Sequence, residues 1–319
     1  MLLGLVASLS LAAGGPERGK SQYLSPITPQ DWSVSVMIVI GGSSSPKLSA
    51  SLANELKATL AKTDIMRFPD GEGYVRILDQ LDGQEVVLVS NTFPDDKIVE
   101  TMLFCDAIEE FQYEKFTLVI PYFGYSRQDK KFNPGEPISA RAMVRALEVY
   151  PDKVLTVDIH ADSTVEWFET CEAANVSGST EIANKLKEIG VDFIVSPDEG
   201  RIRTAQLVSK GVGVPSDYLV KERIDGNIVK IEPKSIDVAG KRVAIVDDII
   251  STGGTVIKAS NELKKLGAQT VIAACTHGLF ANNALSRLGM CCDNVISSDT
   301  IENQTTSFSV APAIARALR

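Results

Sequence analysis

Short apolar runs rich in β-branched residues recur along the chain from Met37 onward, and most of them precede a segment with helical spacing of apolar residues. Continuous apolar runs are typical of parallel strands that are covered by helices on both faces. We therefore predict an α/β protein with two similar, doubly wound parallel sheets. The predicted strands cover 37–40, 74–78, 85–90, 116–120, 154–159, 192–196, 242–246, 270–275 and 294–297. The predicted helices cover 48–60, 97–110 and 139–149, and a fourth begins after residue 255 and ends at about 266.

The chain of 319 residues is long enough for two domains of ordinary size. A break rich in small and polar residues at 173–178 predicts where these domains meet. We expect an N-terminal domain over 37–176 and a C-terminal domain over 177–319, with the last helix packing back on the N-terminal domain.

Residues 1–36 differ from the rest of the chain, because an apolar run over 2–13 is followed by a stretch rich in Gly, Pro and Ser over 14–29. The run is too short to span a bilayer, and no Lys or Arg precedes it, which argues against a secretion signal. We expect a presequence, a cloning leader or a start assigned upstream of Met37, and in each case a segment outside the fold.

The net charge of −9 argues against a protein that coats nucleic acid or an anionic membrane through a general basic surface. Any anionic ligand must therefore be met by local basic groups. The five cysteines are odd in number and show no C-x-x-C spacing, which favours a reducing compartment. We expect a cytoplasmic protein.

One predicted strand, 242–246, leads directly into Asp247 and Asp248 and then into a loop of hydroxyl residues and glycines before a helix. Two carboxylates at a strand end can accept hydrogen bonds from a vicinal diol, while such a loop and a helix N-terminus suit a phosphate. A sugar phosphate presents both features. The alternative is a βα turn in which Asp and Thr only cap a helix, but the string is far more specific than a lone glycine loop. The loop residues are Ser251, Thr252, Gly253, Gly254 and Thr255.

This string resembles the phosphoribosyl-diphosphate (PRPP) binding loop that type I phosphoribosyltransferases share with ribose-phosphate diphosphokinases, the PRPP synthases. The resemblance implies that Asp247, Asp248 and 251–255 bind ribose 5-phosphate, on a fold of the type I phosphoribosyltransferase kind. Four other motifs resemble the synthases in particular, and together the five cover essentially Met37 to Arg319 in family order. These four lie at 67–72, 121–137, 157–162 with 196–200, and 218–223.

Two of these motifs imply an ATP site. On its residues alone, 67–72 indicates a turn, since Pro-Asp-Gly is a strong turn signal, and 121–137 indicates a basic solvated face. In the synthases the first loop reaches across a subunit interface to hold adenine, and the second clamps the ATP phosphates and base. The resemblance therefore implies a homo-oligomer, a dimer or higher, with the ATP site shared between subunits. The implied ATP-binding residues are Phe68, Asp70, Gly71, Glu72, Arg127 and Gln128.

The motif at 157–162 contains His160, one of only two histidines. A single histidine is more often structural than a ligand, yet a neutral imidazole and strand-end carboxylates can hold Mg²⁺ and its waters against phosphate oxygens. The resemblance implies that His160 and Asp198 bind Mg²⁺, with Asp158 and Asp162 nearby. We expect His277, within an apolar strand, to be a core or hinge histidine.

The last motif contains Lys221 and Arg223 before a predicted hairpin turn at 225–227. By composition it is an ordinary charge cluster on an edge strand. In the synthases this K-x-R pair lies on a mobile flap, which implies that Lys221 and Arg223 are catalytic and close on the transferring phosphoryl group. Arg223 is also an implied contact of ribose 5-phosphate.

The implied reaction converts ATP and ribose 5-phosphate into AMP and PRPP, for nucleotide, histidine and tryptophan biosynthesis, without nucleic acid or membrane as partner. Two alternatives stay open: a type I phosphoribosyltransferase, which would consume PRPP, and a non-catalytic regulatory subunit associated with a synthase. Ser251 resembles the archaeal-type branch, since many other members carry an acidic residue there. Arg201 and Arg203 stand where small residues are common in the family.

Overall fold

The computed structural model describes residues 37–225, 228–232 and 237–319. For 220–225 and 228–232 it describes the backbone only. The predicted leader, 1–36, and part of the predicted hairpin turn, 226–227, lie outside the described residues. In chain order the first half contains β1 (Met37–Gly41), α1 (Pro46–Leu56), β2 (Thr59–Leu60), β3 (Thr63–Arg67), β4 (Gly73–Ile77), β5 (Glu85–Val89), α2 (Asp95–Glu109), β6 (Lys115–Ile120), α3 (Ser139–Leu147), β7 (Lys153–Val157) and β8 (Glu172–Val176).

The second half continues with a similar alternation of strands and helices. Its elements are α4 (Ser179–Ile189), β9 (Phe193–Ser196), α5 (Ile202–Val212), β10 (Ser216–Tyr218), β11 (Val220–Asp225), β12 (Ile228–Glu232), β13 (Arg242–Ile250), α6 (Gly254–Lys265), β14 (Thr270–Gly278), α7 (Ala284–Leu288), β15 (Asn294–Ser298), β16 (Thr306–Phe308) and α8 (Ala311–Leu318).

The first half forms a six-stranded parallel sheet in the order β2-β1-β5-β6-β7-β8. Within β1, Ile38 and Ile40 pack into an apolar cluster with Phe104 of α2, while Val39 packs into a second cluster with Leu48 of α1. Successive side chains of a strand point to opposite faces, so a strand that is covered on both faces needs an unbroken apolar run. This explains why the run at β1 does not alternate with polar residues.

The second half forms another six-stranded parallel sheet, in the order β10-β9-β13-β14-β15-β16. The same division recurs on β13, where Val243 and Ile245 belong to the cluster that contains Leu263 of α6, and Ala244 and Val246 to a different one. The prediction of two doubly wound parallel sheets is confirmed.

The helix α8 packs against the first sheet although it follows the second one. Ile314 belongs to the cluster of Val39 and Leu48. Glu302 Oε1 accepts hydrogen bonds from the backbone N–H groups of Lys47 (2.6 Å) and Leu48 (3.2 Å) at the start of α1. A carboxylate is favourable at a helix N-terminus because the N–H groups there lack partners within the helix. The division into domains at 176/177 stays a prediction.

Some local predictions differ from the structure. The helix predicted over 48–60 ends at Leu56, because Lys57 takes a left-handed conformation (φ 56°) and Thr59–Leu60 pair with β1 as the edge strand β2. Most of the segment 173–178, in which we predicted the domain boundary, belongs to β8, which pairs in parallel with β7. Its small and polar residues suit an edge strand, which is only half-buried here.

His277 on β14 is buried and joins the two sheets. Its Nε2 lies 3.0 Å from the carbonyl oxygen of Val157 at the end of β7, and its Nδ1 lies 2.9 Å from Oγ1 of Thr300. Burial lowers the pKa of His277 to about 4. The imidazole is therefore neutral in the folded protein over the physiological pH range.

The neutral His277 makes the free energy of unfolding depend on pH. Below pH ~6.5 the unfolded chain binds a proton at this histidine that the folded chain does not bind, so stability falls as the pH falls toward 4. In urea unfolding at pH 7.5 and 5.5, we expect His277→Gln to lose about 1 to 2 kcal/mol less stability between the two pH values than the parent protein. Equal losses in both proteins would show that His277 is protonated when folded.

Candidate active site

A cavity of about 270 Å³ lies at the carboxyl ends of β9 and β13, where these strands face the segment that follows β7. Most of the predicted ribose 5-phosphate and metal residues meet here with one predicted ATP residue. Its lining residues are Arg127, His160, Asp198, Arg201, Asp247, Asp248, Ile249, Ile250, Ser251, Thr252, Gly253, Gly254, Thr255 and Val256.

The two carboxylates of the predicted sugar site lie within a strand and not after it. The strand predicted to end at 246 continues to Ile250, since β13 pairs with the equally long β14. Asp247 and Asp248 therefore sit on neighbouring positions of an extended backbone, and the Asp248 N–H lies 2.9 Å from Asp247 Oδ1.

The loop after β13 ends at Gly253, which precedes the first residue of α6. Gly253 has a φ of 72°, which favours glycine, and a Cβ there would lie 3.3 Å from Cγ of Leu288. The first N–H groups of α6 have no partners within the helix and can bind an anion. Local structure thus supports the phosphate site that the sequence predicts.

His160, Arg201 and Asp248 meet at one carboxylate oxygen. Asp248 Oδ2 lies 2.9 Å from His160 Nδ1 and 2.9 Å from Arg201 Nη2. The guanidinium also lies against the imidazole, with Nη2 2.6 Å from Nδ1. The Asp248 side chain is only 7% exposed, compared with 31% for His160. This contact joins the end of β7 in the first sheet to β13 in the second.

The pKa values of the two aspartates are shifted in opposite directions. Burial, together with the hydrogen bond and the negative charge of Asp248, raises the pKa of Asp247 well above its usual range. Burial would also raise the pKa of Asp248, but hydrogen bonds from His160 and Asp247 and the charge of Arg201 lower it to about 2. Asp247 therefore holds a proton more readily than Asp248, and both side chains can form hydrogen bonds with hydroxyl groups.

The predicted adenine-binding residues lie in the turn of the antiparallel hairpin β3–β4. The turn is closed by hydrogen bonds from the Phe68 N–H to the Glu72 carbonyl and from the Glu72 N–H to Asp70 Oδ1, with Gly71 at a φ of 96°. Gly71 and Glu72 line a second cavity, of about 600 Å³. Among the described residues, this turn and Arg127 therefore line different cavities of the chain.

The remaining predicted site residues are Gln128, Lys221 and Arg223. Gln128 accepts a hydrogen bond through Oε1 from the Ser139 hydroxyl at the start of α3. Lys221 and Arg223 belong to β11, which pairs with β12 in an antiparallel hairpin, but their side chains are not among those described.

Arg201 is the site residue that the sequence reasoning missed. We noted it only as a departure from the family, although the structure places it in the cavity next to Asp248. The signal was available, because Arg201 follows Asp198 in the same turn after β9, and cations in strand-end turns often meet anionic ligands.

Within the described ranges, the side chains of His, Cys, Asp and Glu form no group of three or more that could hold a metal ion. No helix in the described part of the chain has the length and apolar character needed to cross a membrane.

Comparison with known proteins gives matches over both halves of the chain. The model of the N-terminal domain of ribose phosphate pyrophosphokinase matches residues 37–150, and the model of the phosphoribosyl transferase domain matches residues 173–313. The class of protein is thus one in which a phosphoribosyl transferase domain follows this particular N-terminal domain.

Similar proteins match this chain over nearly the whole of their own length. A ribose-phosphate pyrophosphokinase from Methanopyrus kandleri is 42% identical, covering 88% of this chain and 98% of that protein. One from Pyrococcus furiosus is 41% identical, covering 87% and 99%. The crystal structure of phosphoribosylpyrophosphate synthetase from Mycobacterium smegmatis matches with a TM-score of 0.76 and 29% identity, covering 89% of this chain and 98% of that one. The chain belongs to the ribose-phosphate pyrophosphokinase family, and its resemblance to archaeal members is confirmed.

Proposed function

We propose that this protein is a ribose-phosphate diphosphokinase, which transfers the diphosphoryl group of ATP to the C1 hydroxyl of ribose 5-phosphate. The products are PRPP and AMP. One observation carries the proposal: a single cavity contains Arg127 and His160 from the first half together with the sugar-phosphate loop from the second half. Such a cavity can hold the two polyanionic substrates next to each other.

Ribose 5-phosphate would bind along the end of β13. The 5-phosphate would lie against the hydroxyl groups and backbone N–H groups of 251–255, and the ring hydroxyls against Asp247 and Asp248. The neighbouring positions of the two carboxyl groups support this orientation, because a vicinal diol can hydrogen-bond to both.

His160 and Asp198, which both line the cavity, would hold Mg²⁺ together with oxygens of the substrate phosphates. Mg²⁺ keeps several waters and takes only one or two protein ligands beside substrate phosphates, so a larger cluster of ligands is not required. The carboxylate of Asp248 lies behind His160, as carboxylates do behind metal-binding histidines. When bound, the ion would neutralise negative charge on the substrate phosphates.

The chain's own part in the reaction would be to position the substrates and to stabilise charge. The C1 oxygen forms a bond to the β-phosphorus, and the bond from that phosphorus to the oxygen it shares with the α-phosphorus breaks. Phosphoryl transfer needs little covalent help when the reacting groups are in line. Arg127 and Arg201 border the cavity, and Lys221 and Arg223 would close on the transferred group from the β11–β12 hairpin.

We also propose that the protein is a homo-oligomer of at least two chains. The turn at 68–72 and Arg127 line different cavities of one chain, which supports a site completed by a neighbouring subunit. Phe68 in this turn is 41% exposed and could contact such a neighbour. Light scattering that detected only monomers with both substrates bound would contradict this.

We propose the cytoplasm as the place of action, because all five cysteines are free thiols in the structure. A purified native protein with disulfide bonds would contradict this.

Incubation of the purified chain with ATP, Mg²⁺ and ribose 5-phosphate tests the function. We expect AMP and PRPP to form in equal amounts, and we expect neither to form when a chelator has removed the metal. A second incubation supplies PRPP and a nucleobase. If the chain consumes both there, and releases no AMP in the first incubation, it is a phosphoribosyltransferase. Binding of both substrates without turnover would identify a regulatory subunit.

A further inference from the structure

Asp158, the first residue after β7, points its carboxylate toward the second sheet. Its Oδ2 accepts hydrogen bonds from the Thr276 hydroxyl (2.6 Å) and from the Gly178 N–H (3.1 Å). Thr276 is fully buried on β14, so the contact joins strands of different sheets across 118 positions of the sequence.

The backbone on both sides of Asp158 is also held. The His277 ring lies within 3.3 Å of the Asp158 carbonyl oxygen, and the Ile159 N–H donates to the side-chain oxygen of Asn175 at 3.0 Å. Asp158 itself has a φ of 38°, a left-handed conformation that costs about 1 kcal/mol for a residue with a side chain and persists where the surroundings enforce it.

This fixed segment leads straight to the candidate site. His160 comes two residues later, and its ring meets Asp248 on β13, the strand next to β14. Asp158 does not line the cavity, and its Oδ2 already has two donors. A Cβ on Gly178 would lie 3.0 Å from this oxygen, so there is no room for a hydrated ion on that side. The carboxylate is therefore placed to hold the backbone and not to bind a ligand.

We propose that Asp158 is a positioning residue, which acts through its hydrogen bond to Thr276 to hold His160 at the correct distance from the second sheet. This inference rests on the proposed function of the cavity. Without the hydrogen bond the two sheets would keep their cores, but the segment 158–160 would be free to shift. The main effect should fall on kcat, because a displacement of about 1 Å at a reacting group can cost about 100-fold in rate.

The test compares Asp158→Asn, Thr276→Val, Thr276→Ser and the double variant Asp158→Asn/Thr276→Val with the parent. Asp158→Asn and Thr276→Val should each lower kcat by about 10- to 100-fold, with KM values for both substrates within about twofold. Thr276→Ser keeps the hydroxyl and should stay within about threefold of the parent. Asp158→Asn replaces the carboxylate by a weaker acceptor, and Thr276→Val removes the donor. The double variant should be no slower than the slower single variant, because both changes act on the same hydrogen bond.

The controls separate this proposal from its alternatives. Thr117→Val removes a different buried hydroxyl, on β6, and should leave kcat unchanged. If Asp158 binds the metal, Asp158→Asn alone will lower kcat and raise the Mg²⁺ concentration needed for half-maximal rate, while Thr276→Val stays normal. Normal kcat in Thr276→Val with only a lower melting temperature would overturn the proposal. An inactive parent would instead refute the proposed function.

Discussion

The variant Lys221→Ala is expected to lower kcat by about 100- to 1,000-fold, with KM for ribose 5-phosphate changed by less than about threefold. The physical reason is that the charge of the diphosphoryl group is redistributed in the transition state, when its bond to the α-phosphate oxygen breaks. The Lys221 cation would approach from the β11–β12 hairpin at that moment and stabilise the transition state more than the bound substrates. Steady-state kinetics with saturating ATP will measure the two constants separately.

A matched control for this variant is Lys185→Ala on α4, which removes one positive charge from an exposed pair with Glu188. Its kcat should equal that of the parent. If Lys221→Ala keeps near-normal turnover, Lys221 does not contact the transition state.

The second large effect is expected for Asp248→Asn, which should lower kcat/KM for ribose 5-phosphate by about 100-fold or more. Asp248 is buried, and its carboxylate is hydrogen-bonded to His160 and forms an ion pair with Arg201. The amide cannot balance the charge of Arg201, so the guanidinium and the His160 ring lose their common partner at the sugar site. Initial rates at varied ribose 5-phosphate will give the ratio.

Stability has to be measured alongside this variant. Removing one member of a buried ion pair commonly costs about 3 to 5 kcal/mol of folding free energy, so rates must be taken well below the melting temperature. Asp237→Asn is the control, because Asp237 is an exposed aspartate that pairs with Lys241. If the folded Asp248→Asn protein keeps kcat/KM within about threefold of the parent, Asp248 does not bind the sugar.

The central strands could be predicted from the sequence because their apolar character is intrinsic. Successive residues of β1 and β13 pack into apolar clusters on opposite faces of their sheets, so each of these positions must be apolar. The result is an unbroken apolar run that is visible in the sequence. The edge strands β2 and β8 could not be predicted. They are short or rich in polar residues, and each is a strand only because a neighbour offers its backbone hydrogen bonds.

The candidate site was predictable to a similar degree. The position of Asp247, Asp248 and the loop at 251–255 follows from the rule that ligands bind at the carboxyl ends of parallel strands. The meeting of His160 with Asp248 depends on how one sheet packs against the other, and no local pattern encodes a contact between residues 88 positions apart. The roles of Phe68 and Lys221 came from the family resemblance alone, since their local sequence indicates only a turn and a charged strand.

The return of α8 to the first sheet has a consequence for how the chain folds during its synthesis on the ribosome. The apolar cluster formed by Val39 of that sheet and Leu48 of α1 is covered in part by 310–315, which the ribosome adds more than 250 residues after Leu48. Domains usually fold in the order in which they are made. Here the part of the molecule that is synthesised first must wait, with an apolar face exposed, for one of the last segments to emerge.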